Sequence, residues 1–112
     1  MSQRPIPEAW RLAVCAALKA SRSKFTQTGR TEWQNDFLSS YRFELDEAFI
    51  LALSLPLNGC HVTLSHPPGE TWEFYFTYEN TKTYGKILLR PDLQNILILS
   101  AHRPNKPKLS CE

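Results

Sequence analysis

A chain of 112 residues has room for one hydrophobic core and none for a second. With 42% hydrophobic and 21% charged residues it has the make-up of a globular domain, and no apolar run approaches the roughly 18 residues that a membrane span needs. The net charge of +2 excludes neither a nucleic-acid nor a protein partner, and MSQRPIPEAW at the start holds no apolar stretch of the secretory kind, so the expected location is the cytoplasm.

Pro7 and Glu8 suit a helix start, and Trp10, Val14, Ala17 and Leu18 recur at helical spacing. A helix is expected over about Pro7–Ser21, with Arg11 and Lys19 on its other side. A polar connector, SKFTQTGRTEW, leads to a second expected helix over about Glu32–Ser40, capped by Thr31, with Trp33 and Phe37 one turn apart. The run FELDEAFILALSLP reads as a third. Asp46 and Glu47 suit its first turn, Ala48, Leu51, Ala52 and Leu55 mark its expected buried face, and Pro56 helps end it.

Beyond Pro56 the apolar period shortens from about 3.6 to 2. CHVTLS, ETWEFYFTY, TYGKILLR and ILILSAHR read as strands, and HPPG, ENTK and PDLQN read as the turns between them. PNKPKLSCE reads as an irregular tail. Helices followed by a strand meander give an α+β class. One domain over 1–112 is expected. Its helices, over about 7–55, would pack on one face of a mainly antiparallel sheet of four or slightly more strands over about 60–103. A basic tail, 104–112, would follow.

Alternation divides each strand into two faces. Trp72, Phe74, Phe76 and Tyr78 share one; so do Gly85, Ile87 and Leu89; so do Leu97, Leu99 and Ala101; so do Cys60, Val62 and Leu64. These are the faces expected to meet the helices. The opposite faces bring His61, Glu73, Tyr84, Lys86 and His102, with Arg90 at the end of the Tyr84–Lys86 face. A half-exposed sheet needs a polar face in any case. Two imidazoles, a carboxylate, a phenol and an ammonium are nevertheless an unusual choice where Lys, Glu, Thr and Ser would serve. Such groups suit phosphodiester chemistry. Cleaving RNA without metal needs a base for the 2′-hydroxyl, an acid for the departing 5′-oxygen and cations for the phosphorane charge. Histidine can be either acid or base near neutrality.

The charge distribution agrees with a polyanion partner. From Lys82 onward six Lys and Arg residues stand against Asp92 and Glu112. A solvated basic face would give the same count. The three histidines, His61, His66 and His102, lack zinc-site spacing, and no metal or other cofactor is expected. Cys15, Cys60 and Cys111 are odd in number and far apart, so free thiols are expected. Cys60 beside His61 would make a poor nucleophile–base pair, because neighbours on a strand face opposite ways.

The stretches SLPLNGCHVTLSHPPGETWEFYF, YGKILL and ILILSAHR together resemble the MqsR-like mRNA-interferase toxins, within the RelE-type ribonuclease fold. The likeness runs from the second expected helix to the last strand. It lies in a tryptophan-bearing strand, then a Y-x-K strand, then an apolar strand closing on a serine and a basic residue. Trp72, Tyr84, Lys86, Ile87 and Ser100 fall where that pattern has them. The resemblance implies a RelE-like fold and a sequence-selective endoribonuclease, free of cofactors, that cleaves mRNA and is neutralised by a cognate antitoxin. It implies that Tyr84 is an active-site tyrosine and that His102 and Arg103 are the closing strand's basic residues. His61 stands where the best-known member has lysine, Glu73 replaces a glutamine, and Ala101 replaces a phenylalanine.

The reading is therefore a small metal-independent ribonuclease. His102 would be general acid or base with Tyr84 as its partner. His61 or Glu73 would take the second acid–base role. Lys86, Arg103 and Arg90 would hold the phosphate, and Lys106 and Lys108 could follow the RNA backbone. The alternative is a non-catalytic RNA- or protein-binding module, including an immunity or antitoxin-like partner.

Overall fold

The computed structural model describes residues 2–25, 42–102 and 108–112. The expected helix over Glu32–Ser40 lies outside them, as do Arg103 and Lys106. The class is α+β. Among the described residues there are two helices, α1 (Glu8–Lys19) and α2 (Arg42–Leu53). There are six strands: β1 (Arg4–Pro5), β2 (Ser23–Phe25), β3 (Asn58–Val62), β4 (Glu70–Tyr78), β5 (Thr81–Leu89) and β6 (Ile96–His102). They form one sheet in the order β1-β3-β4-β5-β6-β2. The four expected strands occupy its centre, in the expected order.

The two added strands are short, and each lies on an edge. Arg4 and Pro5 pair antiparallel with Gly59 and Asn58, and β2 pairs parallel with β6 from Ser23 opposite Ile96. The sheet is thus six-stranded, two strands beyond the four or slightly more expected; it is mainly antiparallel, as expected, and becomes mixed only through the parallel β2–β6 pair. Two or three residues are too few to show a period of 2, so these strands exist only because a neighbour offers them a ladder.

The β4–β5 hairpin organises the centre. Its loop is the two-residue turn Glu79–Asn80, with φ of 48° and 62°. Positive φ at both positions gives the tight hairpin turn whose twist matches that of its strands. It fixes nine facing pairs, from Tyr78 opposite Thr81 to Glu70 opposite Leu89. Trp72, Phe74, Phe76 and Tyr78 then share a face with Gly85, Ile87 and Leu89, all of them buried. The helices cover that face. Phe49 of α2 meets Phe74 edge-on at 6.0 Å and Phe76 at 4.5 Å between ring centres. Gly85 makes room for these rings, since a Cβ there would lie 2.9 Å from the Phe49 ring and 3.1 Å from those of Phe74 and Phe76.

Three expectations about the helices change. Helix α2 begins at Arg42, so Glu44 stands in its first turn in place of Asp46 and Glu47. Leu51 and Leu55 are exposed, and the buried line of α2 is Leu45, Phe49 and Leu53. FILAL is apolar nearly all round, so its period could not choose a face; the Phe74–Phe76 surface chose it. Arg11 is buried. Its Nη1 donates to the carbonyls of Leu53 and Leu55, each at 2.9 Å, and its Nε donates to that of Ile6 at 3.3 Å. A guanidinium thereby satisfies carbonyls that the end of α2 leaves unpaired.

Strand β6 contains a bulge. Lys86 faces Ser100, but Ile87 faces Ile98, so Leu99 is an extra residue. The bulge overturns the expected inner placement of Leu97 and Leu99 and keeps that of Ala101. The residues that join the core are Ile96, Ile98 and Ala101. Without the extra residue, Ile98 and Ser100 could not face opposite sides.

Replacing Gly85 by alanine should destabilise the fold by about 1–3 kcal/mol by overpacking the Phe49–Phe74–Phe76 cluster. The paired substitution Glu79→Asn with Asn80→Gly should stabilise it by about 1 kcal/mol, because an Asn-Gly turn accepts positive φ more readily. Urea unfolding with unchanged slope checks both.

Candidate functional site

The outer face of the central strands follows from the same register. Glu73 sits opposite Lys86 and Tyr75 opposite Tyr84. Across the next ladder Tyr84 sits opposite His102 and Lys86 opposite Ser100. Glu73, Tyr84, Lys86 and His102 thus occupy adjoining positions on three neighbouring strands.

Glu73 is the centre of this group. It is 4% exposed, although the alternation argument expected it at a solvent-facing surface. Its Oε2 accepts from the Tyr84 hydroxyl at 2.5 Å. Its Oε1 accepts from the Ser110 backbone N–H at 2.5 Å and from the Ser110 hydroxyl. Short O–H···O bonds of this kind are typical of a carboxylate acceptor, and they satisfy a group that would otherwise be costly to bury.

Ser110 belongs to a segment that the sequence pattern presents as an irregular, solvated tail. Residues 108–112 instead form a turn against the outer face. Leu109 is buried. The Glu112 N–H donates to the Leu109 carbonyl at 3.0 Å, and the Glu112 carboxylate accepts from the Leu109 N–H and from Gln3 Nε2, both at 3.2 Å. Cys111 is joined to Cys60 by a disulfide with Cα atoms 5.6 Å apart. This corrects the expectation of free thiols, which holds only for Cys15, a buried free cysteine. The cysteines are 51 residues apart; only the tertiary fold brings them together.

Cys60 faces Glu73 and His61 faces Trp72 across the β3–β4 ladder. The two expected faces of β3 are therefore interchanged: Cys60 lies on the outer face and His61 on the helix side. His61 is exposed, its ring 5.3 Å from that of Trp72 in an edge-to-face contact, with the Arg4 guanidinium 5.3 Å from the Trp72 ring centre. The sheet separates His61 from Tyr84 and Lys86. Alternation splits one strand into two faces but does not say which face matches which on its neighbour. That depends on pairing.

Arg90 follows β5, four residues beyond Lys86 and so about 13 Å along the strand direction. It lines a groove of about 400 Å³ with Arg22, Lys24 and Asn95, apart from the Tyr84 group. Arg103 lies outside the described residues.

Ser110, Cys111 and Tyr75 were not expected at the site. Tyr75 packs edge-on to Tyr84 with ring centres 6.5 Å apart, and the Lys82 ammonium sits 4.0 Å from the Tyr75 ring centre. Desolvation pushes the Tyr75 phenol up from its ordinary value, and the Glu112 and Glu73 carboxylates add to this. Its place opposite Tyr84 follows from the two-residue turn Glu79–Asn80, from which the two are equally far; the expected four-residue turn ENTK would have put Tyr75 opposite Lys86. Nothing in the sequence signalled Ser110 or Cys111. No family model, curated protein or solved structure matches the chain.

Tyr84→Phe should cost about 1–3 kcal/mol, because it leaves a buried carboxylate oxygen without its donor; chemical denaturation reads the loss. Glu112 supplies a pH test. The Leu109 N–H and the Gln3 side chain hold its carboxyl below the ordinary value of 4.5. A lowered folded pKa means that its contribution is complete above that ordinary value and fades as pH falls through the lower folded one. The Leu109 amide resonance should therefore be constant from neutral pH down to that range and shift below it.

Proposed function

We propose that this chain is an endoribonuclease of the MqsR-like, RelE-type class, acting on mRNA by metal-independent acid–base chemistry. The observation that carries the reading is the register that puts Tyr84 opposite His102 and Lys86 opposite both Glu73 and Ser100. A phenol, an imidazole-bearing residue, an ammonium-bearing residue and a carboxylate thereby share one patch at the centre of a sheet. The motif likeness around Tyr84, Lys86 and Ser100 supports the same reading.

In this mechanism the 2′-oxygen attacks the adjacent phosphorus and loses its proton to a base. The P–O5′ bond breaks, and the departing oxygen takes a proton from an acid. The products are a 2′,3′-cyclic phosphate and a 5′-hydroxyl. His102 is the acid or base at this patch. Tyr84, fixed by Glu73, hydrogen-bonds the reacting group, and Lys86 offsets charge on the phosphorane. Glu73 positions Tyr84 through Oε2, and while Ser110 occupies Oε1 it does not serve as the second base, because both of its oxygens accept hydrogen bonds. His61 has no part at this patch, since it lies across the sheet. Arg103 keeps its role as a phosphate ligand through the motif likeness alone. The partners are mRNA and a neutralising antitoxin, and the setting is the cytoplasm; among the described residues no helix is long and apolar enough to cross a membrane.

A second reading, a non-catalytic binding module, draws on the enclosure of Glu73 by the 108–112 segment. Purified protein incubated with a defined RNA separates the two. The ribonuclease reading expects fragments with cyclic-phosphate and 5′-hydroxyl ends, and a roughly hundredfold loss of rate in His102→Ala with the fold retained. Intact RNA, free and on ribosomes, under both oxidising and reducing conditions, would leave the binding module.

A further inference from the structure

We infer that residues 108–112 are a thiol-released strap, which holds the outer face closed while Cys60 and Cys111 are joined and uncovers Glu73 and Tyr84 when the disulfide is reduced. The closure rests on the disulfide and on the Glu73 contacts; its role as regulation rests on the ribonuclease reading.

The anchors converge on one place. Cys60 lies directly opposite Glu73 on the neighbouring strand, so the bond to Cys111 ties the segment down beside the carboxylate. Ser110, the preceding residue, gives that carboxylate two hydrogen bonds. Among the described residues the remaining anchors are the buried Leu109 and the exposed Gln3–Glu112 hydrogen bond. None of them is covalent, and exposed polar contacts hold a segment weakly. The segment forms no rung of the sheet ladder. Leu109 and Cys60 also lie outside the hydrophobic cluster that joins sheet and helices. Strap release therefore leaves the main core and the central ladders in place, which is the condition for local opening rather than unfolding.

The chemistry is thiol–disulfide exchange with a dithiol reductant. Cys60 is 1% exposed and Cys111 is half-buried, so the attacking thiolate meets the Cys111 sulfur. A new S–S bond forms there, the Cys60–Cys111 bond breaks, and Cys60 leaves as a thiolate that takes a proton. The reductant's second thiolate then displaces Cys111, which is also protonated. Two thiols result, and the reductant carries away the two electrons' worth of oxidation as its own disulfide.

The test compares oxidised protein, protein treated with dithiothreitol, and two variants, Cys111→Ser and Leu109→Ala. Hydrogen exchange is read at the amides of Leu109, Ser110 and Glu112 and across β4 and β5. Reduction should speed exchange at the three strap amides by roughly tenfold or more while β4 and β5 stay protected. Cys111→Ser should match reduced protein without reductant, and Leu109→Ala should open the strap partway with the disulfide intact. Unchanged strap protection after complete reduction would overturn the proposal. So would loss of β4–β5 protection together with the strap, which would make the disulfide a global staple. RNA cleavage is measured on the same samples. Faster cleavage after reduction supports the strap as regulation, and equal cleavage in both states overturns that role. An opened strap with no cleavage in either state upholds the strap and removes the ribonuclease reading instead.

Discussion

The two-residue turn at Glu79–Asn80 sets almost everything else. A hairpin with so short a loop has one register, and that register decides which side chains meet. It puts Gly85 under the Phe49 ring, Glu73 opposite Lys86, and Tyr75 opposite Tyr84. A slip of one residue would turn Glu73 into the phenylalanine layer and send Phe74 outward. The aromatic core resists that slip, because it would press a carboxylate against phenyl rings in place of its donors. Core and site are two consequences of one pairing.

Glu73 links the sheet to what covers it. A carboxylate this deep requires donors, and the fold provides them from two sources. Tyr84, on the adjacent strand, is local to the hairpin. Ser110, 37 residues away in sequence, comes from a segment with no strand of its own. The first contact orients a phenol that the functional reading uses, and the second closes the face on which that phenol lies. The same group thus serves assembly and access. This is why the enclosure of the site does not by itself argue for a purely structural role.

The strands that flank the β4–β5 hairpin show how neighbours shape function. The bulge at Leu99 lets β6 contribute Ile96 and Ile98 to the core at one end while its other end brings Ser100 opposite Lys86 and His102 opposite Tyr84. On the far side, β3 pairs so that Cys60 joins the Glu73 face and His61 joins Trp72. One imidazole-bearing residue is thereby kept with the phenol and another removed from it, although strand alternation alone treated them alike.

The sequence by itself determined the α+β class, the four central strands to within two or three residues, the aromatic face of β4 and the place, though not the two-residue length, of the turn between β4 and β5. These are local properties: a period of 2, a cluster of aromatic residues, and residues that tolerate tight turns. It also brought Glu73, Tyr84, Lys86 and His102 to notice by residue type. Only the tertiary structure decided which of them meet, which face of α2 is buried, where β6 bulges, and that Cys60 and Cys111 are joined. The physical reason is common to all four. Each depends on pairing between segments far apart in the chain, and no single segment carries its partner's register.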